Sequence, residues 1–358
     1  MSQHARLARW LHRQWQHRGW FSTLLSPLSG LAGVIVRRKH ARYRREPHAA
    51  YRSPVAVIVV GNIIVGGAGK TPVVQALARH LRELGWTPGI ISRGYGVKVG
   101  AEPRVGQGSL PASQFGDEPA LIAAQTQAPI AVHPRRALAA QALLRDFPAV
   151  DLIISDDGLQ HLALERDLEV VVQDARGVGN GRLLPAGPLR EPPERLLRAD
   201  WLVTQLNADQ PAPRTPHPAD PARCLTMTLA PCRMEQLATG LNLEWTRWRE
   251  QYSGRSVQAL AAIGQPERFF SMLRLNGLNL SATRSRPDHA ALAPQDFTGL
   301  HDGPILITRK DAVKCQGMDD PRLWVVDVLP VFSRPHWIQE LDGVLRTRRA
   351  VPPSPTRS

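Results

Sequence analysis

The chain has 358 residues, 43% hydrophobic and 21% charged, a balance that excludes disorder as the dominant state and provides for about two ordinary domains. Its formal charge of +14 is concentrated: eleven of the 45 Lys and Arg but only one of the 31 acids, Glu46, fall in residues 1–52, leaving 34 cations against 30 acids elsewhere. Cys224, Cys232 and Cys315 form no Cys-x-x-Cys pair, which argues against a disulfide framework or a zinc site and fits a reducing compartment.

In the N-terminal segment Leu7, Trp10, Leu11 and Trp15 share one side of a helical wheel, opposite Arg6, Arg9 and Arg13. A second apolar stripe, Phe21, Leu24, Leu25, Leu28, Leu31, Ala32 and Ile35, precedes the cations Arg37, Arg38, Lys39, Arg42, Arg44 and Arg45. Ser22, Pro27, Gly30 and Gly33 interrupt it, so it is not expected to be a membrane span of about 18 or more apolar residues, and the N-terminal segment, with Arg6, Arg9, Arg13 and Arg18 spread through it, does not read as a cleaved secretion signal. Trp and Arg flanking apolar faces point to helices lying on an anionic membrane surface, against the alternative of helices packed on the domain. Nucleic acid is the weaker match, because phosphate contacts make no use of tryptophans on an apolar face.

From residue 54 strand and helix signals alternate: strands at Val55–Val60, Gly89–Ser92, Pro129–Val132, Asp151–Ser155 and Leu168–Val172, and helices at Thr71–Leu84, Glu118–Thr126 and Pro134–Phe147. That order predicts an α/β fold, P-loop NTPase-like, with a largely parallel sheet and helices on both faces. A long Gly/Pro/Arg-rich loop, Gly177–Pro193, follows. Five prolines in residues 207–221 read as a linker. Beyond it strands at Leu260–Ile263, Pro304–Thr308 and Leu323–Val326 and helices at Pro266–Leu275 and His336–Leu345 form a smaller α/β unit. The expected organisation is therefore membrane-associating helices (1–52), a nucleotide-binding domain (53–206), a Pro-rich linker (207–223), a smaller α/β domain completing the active-site cleft (224–346) and a tail (347–358).

Gly66-Gly67-Ala68-Gly69-Lys70-Thr71 lies between a buried strand and a helix. Backbone N–H groups of such a turn cradle phosphates, Lys70 supplies a point charge and the Thr71 hydroxyl reaches Mg²⁺. The first glycine of the general P-loop pattern is replaced by Ile64. Asp156 and Asp157 end an apolar strand, where ligands of α/β sheets gather, and can hold Mg²⁺ directly or through water. His161 reads equally as structural or catalytic. Asp117, at a helix start before Glu118, is either a cap or the general base that a hydroxyl nucleophile requires. Arg190 and Arg93 are candidates to stabilise transferring-phosphoryl charge, or else surface ion pairs.

These blocks, in this order, resemble the tetraacyldisaccharide 4′-kinases, the lipid A 4′-kinases of Gram-negative bacteria. The resemblance rests on Gly61-Asn62 through Pro72, Ser92-Arg93-Gly94-Tyr95-Gly96, Gly116-Asp117-Glu118-Pro119, Asp156 to His161 and Leu184 to Glu191. It continues through Ala262 to Phe270, Pro287-Asp288-His289 and Thr308 to Lys314, and so spans most of the chain. It implies ATP- and Mg²⁺-dependent phosphorylation of the 4′-hydroxyl of an acylated glucosamine disaccharide 1-phosphate at the cytoplasmic face of the inner membrane, giving lipid IVA, with no nucleic acid and no obligate protein partner. By the same resemblance Lys70 and Thr71 bind ATP and Mg²⁺, Glu118, Asp156 and Asp157 complete the metal environment, and Asp117, oriented by His289, acts as base. Ala290 and Arg309 depart from the family pattern, where a second His and a Glu are common. The rival from another class is a membrane-cycling switch ATPase of the ParA/MinD type, which has Lys where Val65 stands here.

Overall fold

The computed structural model describes residues 14–207, 210–218, 220–287, 290, 292–300, 302–315 and 317–350. The expected helix around Leu7 and Trp10, the base-orienting His289 and the tail beyond 350 lie outside these. The chain divides into two compact units. One comprises the chain up to Gln205, Pro211–Thr226 and the stretch from Phe332; the other comprises Leu206–Gln210 and Met227–Val331.

The first unit is built on seven strands: β1 (Ala56–Gly61), β2 (Pro88–Ser92), β3 (Arg104–Gly106), β4 (Ile130–Val132), β5 (Leu152–Asp156), β6 (Leu168–Asp174) and β7 (Trp201–Gln205). Their order is β7-β6-β1-β5-β2-β4-β3, parallel except for the antiparallel β3–β4 edge. β1 is central, and Val57, Ile58, Val59 and Val60 are fully buried, as a strand covered on both faces must be. The connection from β1 runs to β2 on one side, whereas the connection from β5 crosses β1 to β6 on the other, so the carboxyl ends of β1, β5 and β6 flank a topological switch point.

Helix α3 (Lys70–Glu83) buries Val73, Val74, Leu77 and Leu81 at helical spacing. It stops where Gly85 takes a φ of 94° and the Trp86 amide donates to the Leu81 carbonyl. Helices α4 (Asp117–Thr126) and α5 (Arg136–Asp146) complete the expected alternation. The last helix, α8 (Trp337–Ala350), which the sequence pattern places in the smaller domain, groups with the first unit. There the Trp86 indole donates to Asp342 at 2.7 Å, the Arg346 guanidinium lies 4.8 Å from the Trp86 ring centre, and Arg349 pairs with Asp167 at 2.9 Å.

Helices α1 (Trp20–Leu24) and α2 (Ser26–Arg45) are amphipathic in an inverted sense. Ser22, Ser29 and Gly33 are buried against the protein, whereas Trp20, Leu24, Leu28, Leu31 and Ile35 are 53–72% exposed. Trp15 departs from the expected lipid-facing set: it is 8% exposed and its indole donates to the Pro185 carbonyl at 3.0 Å. Among the described residues no helix is long and apolar enough to cross a membrane.

In the second unit β11 (Leu280–Ser285), β10 (Val257–Ala261), β12 (Ile305–Thr308) and β13 (Leu323–Phe332) pair in parallel. Strands β8 (Cys224–Gln236) and β9 (Asn242–Glu244) add an antiparallel pair. Helix α6 (Trp245–Gln251) sends Trp248 into an aromatic cluster with Tyr252 and Trp324, and α7 (Pro266–Leu275) buries Phe269, Phe270 and Leu273. Arg309 forms a bidentate pair with buried Asp327, both contacts at 2.7 Å, and reaches Glu235 at 2.6 Å. Two acids thus balance this cation.

Candidate active site

The glycine-rich segment leaves β1 and becomes α3. Its first part is not a free loop: the Val65 amide donates to the Pro188 carbonyl at 2.9 Å, and Ile64 forms a β-bridge with Leu189. Ile64 is 1% exposed, so the missing glycine position is an apolar, strand-like contact with the long loop. The sharp geometry follows at Gly66, φ 96°, and Gly69, φ 87°, the residue before the helix. L-residues rarely adopt these angles. Gly67 and Ala68 lie between them, and Lys70 and Thr71 open α3, where the amides of a first helical turn lack intrahelical partners and are suited to an anion.

The loop is held from β6 by a group that the sequence reading missed. Arg176 chelates buried Asp174 through contacts of 2.7–3.0 Å, and donates to the carbonyls of Gly67 at 3.0 Å and Val65 at 3.5 Å. The signal was present as Asp174-Ala175-Arg176-Gly177 at the strand end, but nothing local ties it to a loop more than a hundred residues earlier.

Strand β5 delivers both acids. Asp157 takes a φ of 49°, a left-handed conformation that non-glycine residues adopt at functional turns. Its carboxylate meets Lys70 at 3.3 Å and Arg190 at 3.2 Å. Burial alone would raise its pKa, but Lys70 and Arg190 outweigh that and hold it below the ordinary carboxylate range. Asp156 is fully buried. Burial, helped by the Glu118 and Asp157 carboxylates and opposed by Lys70, pushes it up to about 6. The Ser92 hydroxyl donates to it at 3.0 Å, and buried Arg136 donates to its main-chain carbonyl at 3.2 Å. Sequence reading assigned no role to Ser92 or Arg136. His161 sits among cations: burial, then Arg136, Lys39 and Arg93, lower it to about 4, leaving a neutral imidazole at physiological pH.

Asp117 and Glu118 open α4. The cap position is Gly116, with φ 92°, so Asp117 does not serve as the cap. A Cβ on Gly116 would lie 2.7 Å from the Tyr95 carbonyl oxygen, which brings the Ser92–Gly96 turn against the start of α4. Thus Lys70, Asp157 and Arg190 meet directly, and Glu118 acts electrostatically on Asp156 in the same unit.

A family model described as tetraacyldisaccharide-1-P 4′-kinase matches residues 21–346. The tetraacyldisaccharide 4′-kinase of Bordetella parapertussis is 52% identical over 343 residues, covering 96% of this chain and 98% of that protein. The protein of the same name from Polaromonas naphthalenivorans is 43% identical over 338 residues, covering 94% of each. Among solved structures, the "apo" form of LpxK from Aquifex aeolicus in complex with ATP matches with a TM-score of 0.74 and 26% identity, covering 91% of this chain and 99% of that one.

Proposed function

The chain belongs to the tetraacyldisaccharide-1-P 4′-kinase family and is a kinase of lipid A biosynthesis, and on that premise we propose that it transfers the γ-phosphate of ATP to the 4′-hydroxyl of a tetraacylated glucosamine disaccharide 1-phosphate. Family membership favours this reading of the glycine-rich loop over a switch ATPase. The observation that carries it is the convergence of Lys70 and Arg190 on Asp157, beside a buried Asp156, at the carboxyl ends of β1 and β5.

The donor set fits Mg²⁺. Asp156 is raised by burial and by Glu118, a crowding of acids that a divalent cation relieves, and Thr71 lies in the first turn of the adjoining helix. Among the described residues no three His, Cys, Asp or Glu side chains form a metal cage; Mg²⁺ commonly takes one or two carboxylates and completes its shell with water and phosphate oxygens. When bound there, the ion neutralises phosphate charge. Lys70 and the α3 amides hold the phosphate tail. Arg190 stabilises the equatorial oxygens of the moving phosphoryl group, while Asp117 accepts the proton of the 4′-hydroxyl as its oxygen bonds to phosphorus and ADP departs.

A reaction on an acylated sugar requires access to a lipid surface, and the inverted α1–α2 pair supports that need. The exposed apolar face of Trp20, Leu24, Leu28, Leu31 and Ile35 continues into exposed Arg37 and Arg38, a surface suited to the cytoplasmic leaflet of the inner membrane, with its anionic headgroups. Mass spectrometry of the product formed from ATP and purified disaccharide 1-phosphate tests the assignment. A single added phosphate on the distal sugar is expected. ATP turnover without phosphorylated lipid would refute it.

A further inference from the structure

The cationic end of α2 is not merely a solvated tail. The Lys39 ammonium donates to the main-chain carbonyl of Gln160 at 2.8 Å, and the His40 Nε2 lies 3.0 Å from Glu191 Oε2. Glu191 has a side chain 2% exposed, and it is the neighbour of Arg190. Its other oxygen accepts from the Gln160 amide at 2.8 Å, and Arg195 lies 3.3 Å from the oxygen that faces His40. Gln160 in turn donates to the Asn62 carbonyl at 2.9 Å and faces Arg190 at 3.5 Å through its Oε1. Arg190 is pinned by its amide to the Ile63 carbonyl at 2.7 Å and reaches Asp157 at 3.2 Å.

An unbroken set of polar contacts therefore runs from α2 through Gln160 and Glu191 to the Arg190–Asp157–Lys70 cluster, while the preceding turns of the same helix expose Leu28, Leu31 and Ile35. We propose that Lys39 and His40 are positioning residues that couple the lipid-facing helix to the catalytic cluster, aligning Arg190 and Asp157 through Glu191 and Gln160. The inference rests on the kinase reading above. It assigns α2 two separable roles: contact with the lipid surface through its apolar face, and alignment of the site through its last two turns. Small displacements of positioned groups cost large factors in rate, so loss of this clamp should appear in kcat, not in nucleotide affinity or membrane attachment.

The test compares His40→Ala, His40→Gln, Lys39→Ala and wild type, each full length, on sedimenting vesicles of equimolar phosphatidylcholine and phosphatidylglycerol carrying the disaccharide acceptor. The glutamine amide keeps a donor for Glu191. The alanine variants should lose about tenfold or more in kcat, with ATP KM, melting temperature and vesicle sedimentation unchanged, and His40→Gln should recover most of the His40→Ala loss. Wild-type kcat in both alanine variants would overturn the proposal. So would a loss reversed by raising vesicle concentration, which would mean anchoring alone, or a loss accompanied by a lowered melting temperature and not rescued by glutamine, which would mean a structural role alone. Absence of lipid phosphorylation by the wild-type protein would instead refute the kinase assignment itself.

Discussion

Replacing Asp156 by Asn removes a charge that its surroundings make costly. The carboxyl is fully buried and pushed from 3.8 up to about 6; at ~1.4 kcal/mol per pH unit, keeping it ionised above pH 6 costs roughly 3 kcal/mol as an upper bound. Asparagine has the same shape and still accepts from the Ser92 hydroxyl, now 3.0 Å away. The sign follows from proton counting. Below about pH 4 the carboxyl is protonated in both folded and unfolded chains and costs nothing. Between 3.8 and about 6 the native state retains a proton that the unfolded chain releases, so stability falls as pH rises, and above that window the full penalty is present.

Asp156→Asn should therefore melt higher than wild type at pH 8, by a few degrees for about 1–3 kcal/mol, in protein free of nucleotide and Mg²⁺. The gap should close as pH is lowered towards 4, while kinase activity is lost. Circular dichroism melts across that pH series provide the measurement. A variant no more stable than wild type at pH 8, or a gap unchanged at low pH, would refute the reasoning. Such a trade between stability and activity is expected where a charged group is buried for function and not for stability.

Four other outcomes are expected. Lys70→Ala and Asp157→Ala should each abolish phosphoryl transfer with far-ultraviolet circular dichroism unchanged; near-normal turnover in either would remove the phosphate-site assignment. Asp117→Ala should lower kcat by about 10²–10⁴-fold with little change in ATP KM, the range of general-base assistance, and a change confined to KM would argue against a base. Arg176→Ala frees the carbonyls of Gly67 and Val65 and should raise ATP KM by about tenfold while kcat changes less, consistent with one lost charge-assisted hydrogen bond; steady-state kinetics in ATP checks the split. Leu28→Glu with Leu31→Glu should release the protein from anionic vesicles, whereas high salt should do so only partly because the apolar contribution is not screened. Unchanged sedimentation would mean that this face does not meet lipid.

The parts of the site legible in sequence were those that a few consecutive residues encode. An apolar run followed by glycines, Lys70 and Thr71 marks a strand, a sharp turn and a helix start, because backbone turn and helix start are local properties. Asp156 and Asp157 were legible at the end of their strand for the same reason, and α7 (Pro266–Leu275) was assigned to the residue because proline and an apolar period delimit it. Strands β7, β8 and β11 escaped: Trp201–Gln205 follows a Pro- and Arg-rich stretch, and Leu280–Ser285 alternates half-buried and exposed residues without a hydrophobic run.

What the sequence by itself determined is the α/β alternation, the glycine-rich turn between strand and helix, the paired acids and the presence of an amphipathic basic N-terminus. Tertiary structure alone decided which side of that N-terminus turns outward, since a helical wheel reveals an apolar face but not the medium it meets. Ser22, Ser29 and Gly33 pack inward and the leucines face out, while Trp15, which the same wheel placed with the lipid-facing set, is buried against Pro185. Tertiary structure also decided that Ile64 bridges Leu189, that Arg176 braces Gly67, and that His40 reaches Glu191. Each of these pairs joins residues more than a hundred positions apart, and short-range periodicity carries no information about such partners.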